Sequence, residues 1–493
     1  MRIRERGGAT GHAFVVLVIA TLATLLLSGC QPEPRAPNLA QLYDFASETD
    51  TPARRPVIAI PGTLGSRLQD RETGAFIWGG RGGLSIDPAN PKNQRLLALP
   101  IGKGDEPLSQ LRDHVRARGV LRVARPSIFG LEIEKDVYRG AIDTLIAGGY
   151  DFRRTREEEI EDREVNLDSF EFPYDWRRDI VEAAQELDGF IRRKRVQVAL
   201  ARRDAFGSDQ TLPKFDIVAH SMGTLVARYY LMYGAQDLPA DGSLPDLTWE
   251  GADYVSRVIY IAPPNAGSVT SFENLINGKS FGPFQPYFSP ALLGTHPSTY
   301  QLLPRIRHDR IQVAGETFAP DIYDVDEWDA RGWGLLNPDQ DAVLQRLMPD
   351  EPSSEGRRAR ARAHVAKALW RSKQLHLAMD IPAVPPAGLD AFLVIGGGVD
   401  TPSVVEFDPA TGQARNIAWS EGDGVVLRGS SLLDERSAGE FDLGLRSPLS
   451  FRSVLLLPEE HLDITKSAVF GDNILFWLLD APRGDWEAVH TPM

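Results

Sequence analysis

Five apolar runs of strand length recur along the chain, each without polar alternation. They are PVIAI at 56–60, FDIVA at 215–219, RVIYIA at 257–262, AFLVIG at 391–396 and SVLLLP at 453–458. Runs that are apolar on both faces are typical of a parallel sheet covered by helices on each side. The periodicity between them predicts helices over 137–146, 180–193, 224–233 and 464–479. This alternation of strands and helices predicts an α/β fold.

Two long stretches interrupt the alternation. Residues 66–130 are rich in Gly, Pro and Arg, whereas residues 271–386 carry scattered aromatic residues and few strand signals. Long structureless loops are uncommon inside compact domains. We therefore predict a lid-like insertion at about 66–130 and a cap insertion at about 271–386, both within one large domain over 56–493.

The first 30 residues follow a different pattern. Three arginines precede an uncharged apolar run over 13–27, which is short for a membrane span. The run closes with LLSGC at 26–30. This ending resembles the signal of bacterial lipoproteins, in which the cysteine, here Cys30, becomes the lipidated first residue after cleavage.

These features predict an exported protein that a lipid on Cys30 anchors to a membrane of the cell envelope. The signal peptide spans 1–29, and the Pro-rich, polar residues 30–55 are expected to form a flexible tether. If the host has two membranes, Gln31 after the cysteine favours the outer one. Two alternatives stay open, a plain secretory signal and an ordinary buried thiol at Cys30.

Composition narrows the classes of partner. The chain has 493 residues, of which 42% are hydrophobic and 25% charged, as in a soluble globular protein. Its formal net charge of -14 argues against nucleic acid as a partner. The single cysteine excludes a disulfide within the chain.

Three charged runs could be mistaken for binding sites. The acidic run YDVDEWD at 323–329 lacks the Gly and the distal Glu of a calcium-binding loop, so we expect a solvated turn and no metal. The basic runs RIRHDR at 305–310 and RRARAR at 357–362 could meet anionic lipid headgroups, but a solvated helix face is the simpler interpretation. No cofactor is expected.

The segment FDIVAHSMGTLVARYY carries the clearest chemical signal. A strand runs into Ser221 and a helix follows at once, with small residues, Ala219 and Gly223, on either side. Such a tight strand-turn-helix is typical of a nucleophile elbow, in which the serine hydroxyl is lifted above the sheet. A serine that merely caps a helix does not require small residues on both sides.

A nucleophilic serine requires a base, and His461 is the candidate. It follows the last predicted strand and precedes the last predicted helix, where this fold places its base. The alternatives are His490 in the tail and a plain surface role for His461. Four further histidines lie in the predicted cap and are poor candidates: His296, His308, His364 and His376.

Spacing alone leaves two candidates for the acid that orients the base. Asp423 stands between two glycines in EGDGVV, which is also a common hairpin turn, and Asp400 follows the AFLVIG strand. The oxyanion of the reaction is expected to bind the backbone N–H groups of Met222 and, in the loop IPGTLGSRL, of Thr63.

Five motifs in order resemble the lecithin:cholesterol acyltransferase-like family, which includes lysosomal phospholipase A2 and the phospholipid:diacylglycerol acyltransferases. They are PVIAIPGTLGSRL at 56–68, FPYDWRRD at 172–179, AHSMG at 219–223, APPNAGS at 262–268 and GDGVVLRGSSL at 422–432, and His461 follows them. The resemblance implies an α/β-hydrolase fold and selects Asp423 as the acid. It also implies substrate contacts for Tyr174 and Trp176, and for Trp78 as a lid tryptophan.

The resemblance further implies acyl transfer at lipid esters. Ser221 would form an acyl-enzyme, with a lipid as the substrate, an alcohol or water as the acyl acceptor, and no obligate protein partner. A general carboxylesterase without lipid preference is an alternative with the same triad. A non-catalytic envelope lipoprotein that keeps the fold as a scaffold is a more remote one.

Overall fold

The computed structural model describes most of the chain. The described residues are 37–49, 51, 53–80, 87–88, 90–124, 127–128, 131–132, 135–152, 168–207, 212–280, 287–436 and 443–483. The chain divides into two units, Met1–Asn38 and Leu39–Met493. The signal peptide, Cys30, Gln31 and His490 of the sequence analysis lie outside the described residues, so those predictions stay predictions.

The second unit alternates strands and helices. The strands are β1 (Val57–Ile60), β2 (Ser66–Asp70), β3 (Phe76–Trp78), β4 (Val115–Val120), β5 (Val123–Ala124), β6 (Ser127–Ile128), β7 (Leu131–Glu132), β8 (Lys135–Asp136), β9 (Ser169–Glu171), β10 (Phe215–His220), β11 (Val255–Ile261), β12 (Lys279–Ser280), β13 (Tyr287–Phe288), β14 (Ile311–Val313), β15 (Asp390–Gly396), β16 (Val399–Asp408), β17 (Gln413–Gly422) and β18 (Ser453–Leu457). The α-helices are α1 (Leu39–Leu42), α2 (Asp44–Glu48), α3 (Pro91–Leu97), α4 (Arg139–Ala147), α5 (Ile180–Phe206), α6 (Met222–Tyr233), α7 (Val269–Asn277), α8 (Pro290–Leu293), α9 (Pro297–Gln301), α10 (Val325–Arg331), α11 (Asp341–Leu347), α12 (Ser354–Met379), α13 (Arg428–Leu432) and α14 (Ala468–Leu475).

A six-stranded sheet forms the centre of this unit. Its strand order is β18-β15-β11-β10-β1-β9, and every neighbouring pair is parallel. All five apolar runs of the sequence lie in this sheet, as predicted. The sixth strand, β9, has only three residues at the sheet edge and lacks a long apolar run, so the periodicity did not reveal it.

Successive side chains along the strands pack alternately into two separate hydrophobic cores. On one face Ile58, Ile217, Val258 and Leu393 join a large core that includes α5 and α6. On the other face their neighbours Val57, Val218, Ile259 and Phe392 pack against side chains of α4 and α14. Burial on both faces explains why these strands show no polar alternation. The predicted helices are present, with α5 continuing to Phe206.

The two interrupting stretches contain regular structure. Residues 66–120 hold the antiparallel sheet β3-β2-β4 and helix α3. The chain between the adjacent strands β11 and β15 holds helices α7 to α12, and the 26-residue α12 packs against α9 and α11. None of the helices described is both long and apolar enough to cross a bilayer.

The charged runs of this region bind one another. The Asp324 side chain caps α10 by accepting a hydrogen bond from the Asp326 N–H at 2.9 Å. On α12, Arg358 forms an ion pair with Asp329 at 2.7 Å, and Arg362 pairs with Asp326. The interpretation of 323–329 and 357–362 as separately solvated runs is therefore incomplete, because the acidic run and the basic run neutralise each other.

The basic run 305–310 is also neutralised inside the molecule. Arg305 is buried and forms an ion pair with Asp380 at 2.8 Å. Arg307 binds the same carboxylate at 2.8 Å and also pairs with Glu435. His308 lies 3.2 Å from Glu435. These contacts join the end of α12 to the residues that follow α13, so this run has a structural role.

We predict that stability falls as the pH drops below about 6.5, the ordinary pKa of histidine. Burial lowers the pKa of His220, His296 and His376 to about 3 and that of His364 to about 4. Their folded-state pKa values lie below the unfolded value, so at pH 5.5 the unfolded chain binds more protons. Each of the four rings should then lower the free energy of unfolding by about 1 kcal/mol. Urea unfolding at pH 7.5 and 5.5 measures this, and equal midpoints at the two pH values would contradict it.

Candidate active site

Ser221 lies in a strained turn between β10 and α6. Its backbone has φ 53° and ψ -128°, a left-handed conformation that non-glycine residues rarely adopt. The turn is held at both ends, since the Ser221 N–H donates to the Ile261 carbonyl at 2.8 Å and the Thr224 N–H donates to the Ser221 carbonyl at 3.0 Å. The geometry is that of a nucleophile elbow, with the serine at the carboxyl end of the central strands.

Two glycines allow the loop after β1 to approach this turn. A Cβ atom on Gly62 would lie 2.6 Å from Ser221 Cβ and 3.2 Å from its Oγ. A Cβ atom on Gly223 would lie 2.3 Å from the Pro61 carbonyl oxygen. The distances of 2.6 Å at Gly62 and 2.3 Å at Gly223 are too short for a side chain. Gly223, the small residue two positions after the serine in AHSMG, is therefore required by the backbone of the neighbouring loop.

A chain of hydrogen bonds links Ser221, His461 and Asp423. His461 Nδ1 lies 2.7 Å from Asp423 Oδ2, and His461 Nε2 lies 2.9 Å from Ser221 Oγ. Because an ionised carboxylate can only accept, Nδ1 carries the proton and donates it to Asp423. Nε2 is then the acceptor for the serine hydroxyl. The arrangement orients the imidazole as a base towards Ser221.

Asp423 is buried and held in its ionised form. Burial alone would raise its pKa, but attraction to His461, the hydrogen bond with that ring and the N–H groups of Val426 and Val425 outweigh burial and lower it. Its Oδ1 accepts from these N–H groups at 2.7 and 3.0 Å. Gly396 permits the approach, because a Cβ atom there would lie 2.4 Å from Asp423 Cβ.

The structure separates the competing candidates. Asp400 lies exposed on β16 opposite Glu421, whereas Asp423 bonds to His461. The four histidines of the predicted cap bind elsewhere: His296 to the Leu97 carbonyl, His308 to Glu435, His364 to the Thr295 carbonyl, and His376 to the Gln301 carbonyl. The choice of Asp423, which spacing alone could not make, agrees with this geometry.

The loop after β1 is tied down along its length. The Gly62 N–H donates to the Tyr138 hydroxyl at 2.7 Å, Trp78 Nε1 donates to the Leu64 carbonyl at 2.8 Å, and the Leu121 N–H donates to the Gly65 carbonyl at 2.7 Å. Leu64 itself has φ 63°. This bonding fixes the backbone of Thr63, which lies between Gly62 and Leu64 and is exposed.

Two N–H groups were predicted to be oxyanion donors, those of Met222 and Thr63. Met222 is the first residue of α6, where N–H groups have no partner within the helix, and the positive end of the helix dipole lies there. Thr63 directly follows Gly62, which contacts Ser221. Among the described residues, no acceptor is found for either N–H. Both are therefore available to a negatively charged oxygen.

The three aromatic residues that were expected to contact substrate lie behind this loop. Trp78, Tyr174 and Trp176 are at most 2% exposed. Trp176 Nε1 donates to the Ser66 carbonyl at 3.1 Å, and the rings of Trp78 and Trp176 meet edge to face at 5.7 Å. This placement differs from that of a lid tryptophan, which would be free to cover a substrate. Trp78 instead supports the loop that carries Thr63.

Two residues behind the site, Tyr138 and His220, were not predicted from the sequence. His220 is 3% exposed and Tyr138 is 6% exposed, and they bond to each other at 3.0 Å. His220 could have been suspected, since a histidine that ends a buried strand must find partners for its ring nitrogens. Tyr138 has no sequence signal, because its contacts are with residues distant in the chain. No cluster of His, Cys, Asp and Glu suited to a metal occurs in the described residues.

Comparison with known proteins agrees with part of the sequence analysis. Residues 163–321 match the family model of lecithin:cholesterol acyltransferase. This region contains three of the five motifs, the ones at 172–179, 219–223 and 262–268. No curated protein gave a significant sequence match to the chain.

One solved structure resembles the chain in fold, and two others align with lower scores. A chain of the Tle4-Tli4 complex aligns with a TM-score of 0.55 and 16% identity, over 87% of this chain and 100% of that one. Lipase 1 from Pelosinus fermentans aligns with a TM-score of 0.34 and 13% identity, over 87% and 99% of the two chains. Phospholipase PlaB from Legionella pneumophila gives 0.31 and 14%, over 72% and 59%. The first similarity and the parallel sheet confirm the predicted α/β-hydrolase fold class.

We predict that Asp423 controls the reactivity of Ser221. In Asp423→Asn the amide no longer holds the proton on Nδ1 of His461, so Nε2 loses its role as acceptor. The rate at which a fluorophosphonate labels Ser221 should fall by about 10³- to 10⁴-fold. Asp400→Asn is the matched control and should label at the wild-type rate. Equal labelling of the two variants would contradict the assignment of the acid.

Proposed function

We propose that this protein is a serine-dependent enzyme of lipid acyl esters, working through an acyl-enzyme on Ser221. The observation that carries the proposal is the hydrogen-bonded series Asp423, His461 and Ser221, with bonds of 2.7 and 2.9 Å. A nucleophile, a base with a fixed tautomer and oxyanion donors are the parts that acyl transfer requires.

In the proposed reaction His461 Nε2 takes the hydroxyl proton as Ser221 Oγ attacks the acyl carbonyl carbon. The carbonyl oxygen becomes an oxyanion that accepts from the N–H groups of Thr63 and Met222. Asp423 stabilises the imidazolium of His461. The bond to the leaving alcohol then breaks, His461 returns its proton to that oxygen, and an acyl-enzyme remains. Water or a second alcohol attacks it by the same route.

The lipid nature of the substrate is supported by the family match, which includes the nucleophile turn. Two motifs lie outside the matched region, at 56–68 and 422–432. Both contribute to the same site as the matched Ser221, since the first carries Gly62 and Thr63 and the second carries Asp423. The proposal therefore names fatty-acyl lipid esters as donors. It covers both an O-acyltransferase and a phospholipase or lipase, which differ only in the acceptor.

We predict acyl products from lipid vesicles that depend on Ser221. Wild-type protein and Ser221→Ala should be incubated with phospholipid vesicles, with and without a long-chain alcohol, and the products analysed by mass spectrometry. New esters of the alcohol identify a transferase, and free fatty acid alone identifies a hydrolase. In both cases the variant should give no product.

The same assay separates the alternatives. Cleavage of a short p-nitrophenyl ester without any product from vesicles would indicate a carboxylesterase that lacks lipid preference. Wild-type protein that neither reacts with esters nor becomes labelled by a fluorophosphonate would contradict the proposal and favour a non-catalytic scaffold.

We further propose that Cys30 anchors the enzyme to a membrane of the cell envelope, where its substrate lies. This proposal depends on the sequence pattern alone. In Cys30→Ser the lipid attachment site is lost, so the protein should move from the membrane fraction to the soluble fraction while its ester hydrolysis persists. A variant that stays in the membrane fraction would contradict the anchor.

A further inference from the structure

Two buried side chains connect the parts of the site from behind. The Gly62 N–H donates to the Tyr138 hydroxyl at 2.7 Å, and that hydroxyl lies 3.0 Å from His220 Nδ1. His220 Nε2 lies 3.0 Å from the carbonyl oxygen of His461. A continuous path of hydrogen bonds thus runs from the loop of Thr63 to the loop of His461.

Only one arrangement of protons satisfies this path. The His461 carbonyl can only accept, so it requires the single ring proton of a neutral His220 on Nε2, and the Tyr138 hydroxyl, whose oxygen accepts from Gly62, donates its proton to Nδ1. With Nδ1 as the acceptor, a neutral His220 carries its proton on Nε2 and donates it to the His461 carbonyl. Each donor has an acceptor, and each ring nitrogen of His220 has a partner.

The surroundings keep both side chains in these forms. Burial raises the pKa of Tyr138 above its ordinary value, so the phenol stays protonated. Burial, assisted by the nearby His461, lowers the pKa of His220 to about 3, so the imidazole stays neutral. A protonated His220 would carry hydrogen on Nδ1 as well and would lose the bond that Tyr138 donates.

The path also reaches the acid. The His461 N–H donates to the Asp423 carbonyl at 2.9 Å, so the backbone of the base is held on one side by Asp423 and on the other by His220. Gly62 and His461 are thereby fixed relative to each other through side chains that do not themselves contact Ser221 Oγ.

We propose that Tyr138 and His220 are positioning residues, which hold the oxyanion loop and the loop of the base at the separation that acyl transfer requires. The inference rests on the proposed function, since it concerns the same site. Neither residue acts on the substrate. Their loss should lower the rate of chemistry at each folded site, with little effect on the affinity for substrate.

The principal test is Tyr138→Phe, which removes the hydroxyl and leaves the ring. The Gly62 N–H then loses its acceptor and His220 Nδ1 loses its donor. With p-nitrophenyl butyrate as the probe substrate, and with active sites counted by fluorophosphonate titration, kcat per site should fall roughly 10- to 100-fold. KM should remain within about 2-fold, because neither side chain acts on the substrate in this proposal.

Tyr150→Phe is the matched control. Tyr150 is 1% exposed, lies in the core on the other face of the sheet, and has a hydroxyl without a hydrogen-bond partner among the described residues. Its variant should keep the wild-type kcat. If Tyr138→Phe also keeps the wild-type kcat per titrated site, the positioning role is overturned, even where its melting temperature falls.

Variants of His220 test the hydrogen bond that this residue donates to the His461 carbonyl. Gln retains an amide N–H that can reach the His461 carbonyl, whereas Leu retains no polar atom, so His220→Gln should keep more of kcat than His220→Leu. The double variant Tyr138→Phe, His220→Leu should lose less than the product of the two single losses, because both remove one path. Fully multiplicative losses would overturn the connection.

The test also distinguishes this inference from the proposed function. Wild-type protein that shows neither labelling nor turnover overturns both. Wild-type turnover that depends on Ser221, together with an unaffected Tyr138→Phe, overturns the positioning role alone and leaves the acyl chemistry in place.

Discussion

The active site depends on one close contact between two backbones. The loop after β1 passes so near the turn after β10 that neither Gly62 nor Gly223 has room for a Cβ atom. The two strands are neighbours in the sheet and pair in parallel, with Ile60 opposite Ala219. Both loops therefore leave the sheet at the same level along the strand direction. The register of the sheet, more than any side chain, brings the loop that carries Gly62 and Thr63 against the serine.

The acid reaches the site by a longer route, which explains why spacing could not identify it. After β15 the chain leaves the sheet as the antiparallel pair β16 and β17, so Asp400 departs with the outgoing strand. Asp423 follows the returning strand and comes back to the base of the pair, against Gly396 at the end of β15. The β16–β17 hairpin brings Asp423 close to the end of β15, although the two are distant in sequence. The length of the hairpin cannot be inferred from the sequence position of an aspartate, so spacing does not show which aspartate returns to the site.

The sequence predicted what local pattern determines and missed what tertiary contacts determine. Continuous apolar runs located five of the six central strands, but the three-residue β9 carries too few residues for a period to show. Small residues around Ser221 predicted the tight turn, whereas the contact that leaves Gly223 no room for a side chain is with the Pro61 carbonyl of the neighbouring loop. Trp78 is buried by residues far from it in the chain, and Arg362 pairs with Asp326, which lies on a different helix. No local sequence pattern encodes such contacts.

The neutral state of His220 has a consequence for the positive charge that the proposed reaction would place on His461. The two imidazole rings lie 4.8 Å apart between centroids, close enough for two positive rings to repel strongly in a buried site. Burial keeps His220 uncharged, so in the proposed reaction an imidazolium at His461 would meet no positive charge from His220. Its partner Asp423 is only 1% exposed on its side chain, and there solvent screens the attraction little. The side chains packed against the His461 ring are therefore a neutral imidazole on one side and an ionised carboxylate on the other.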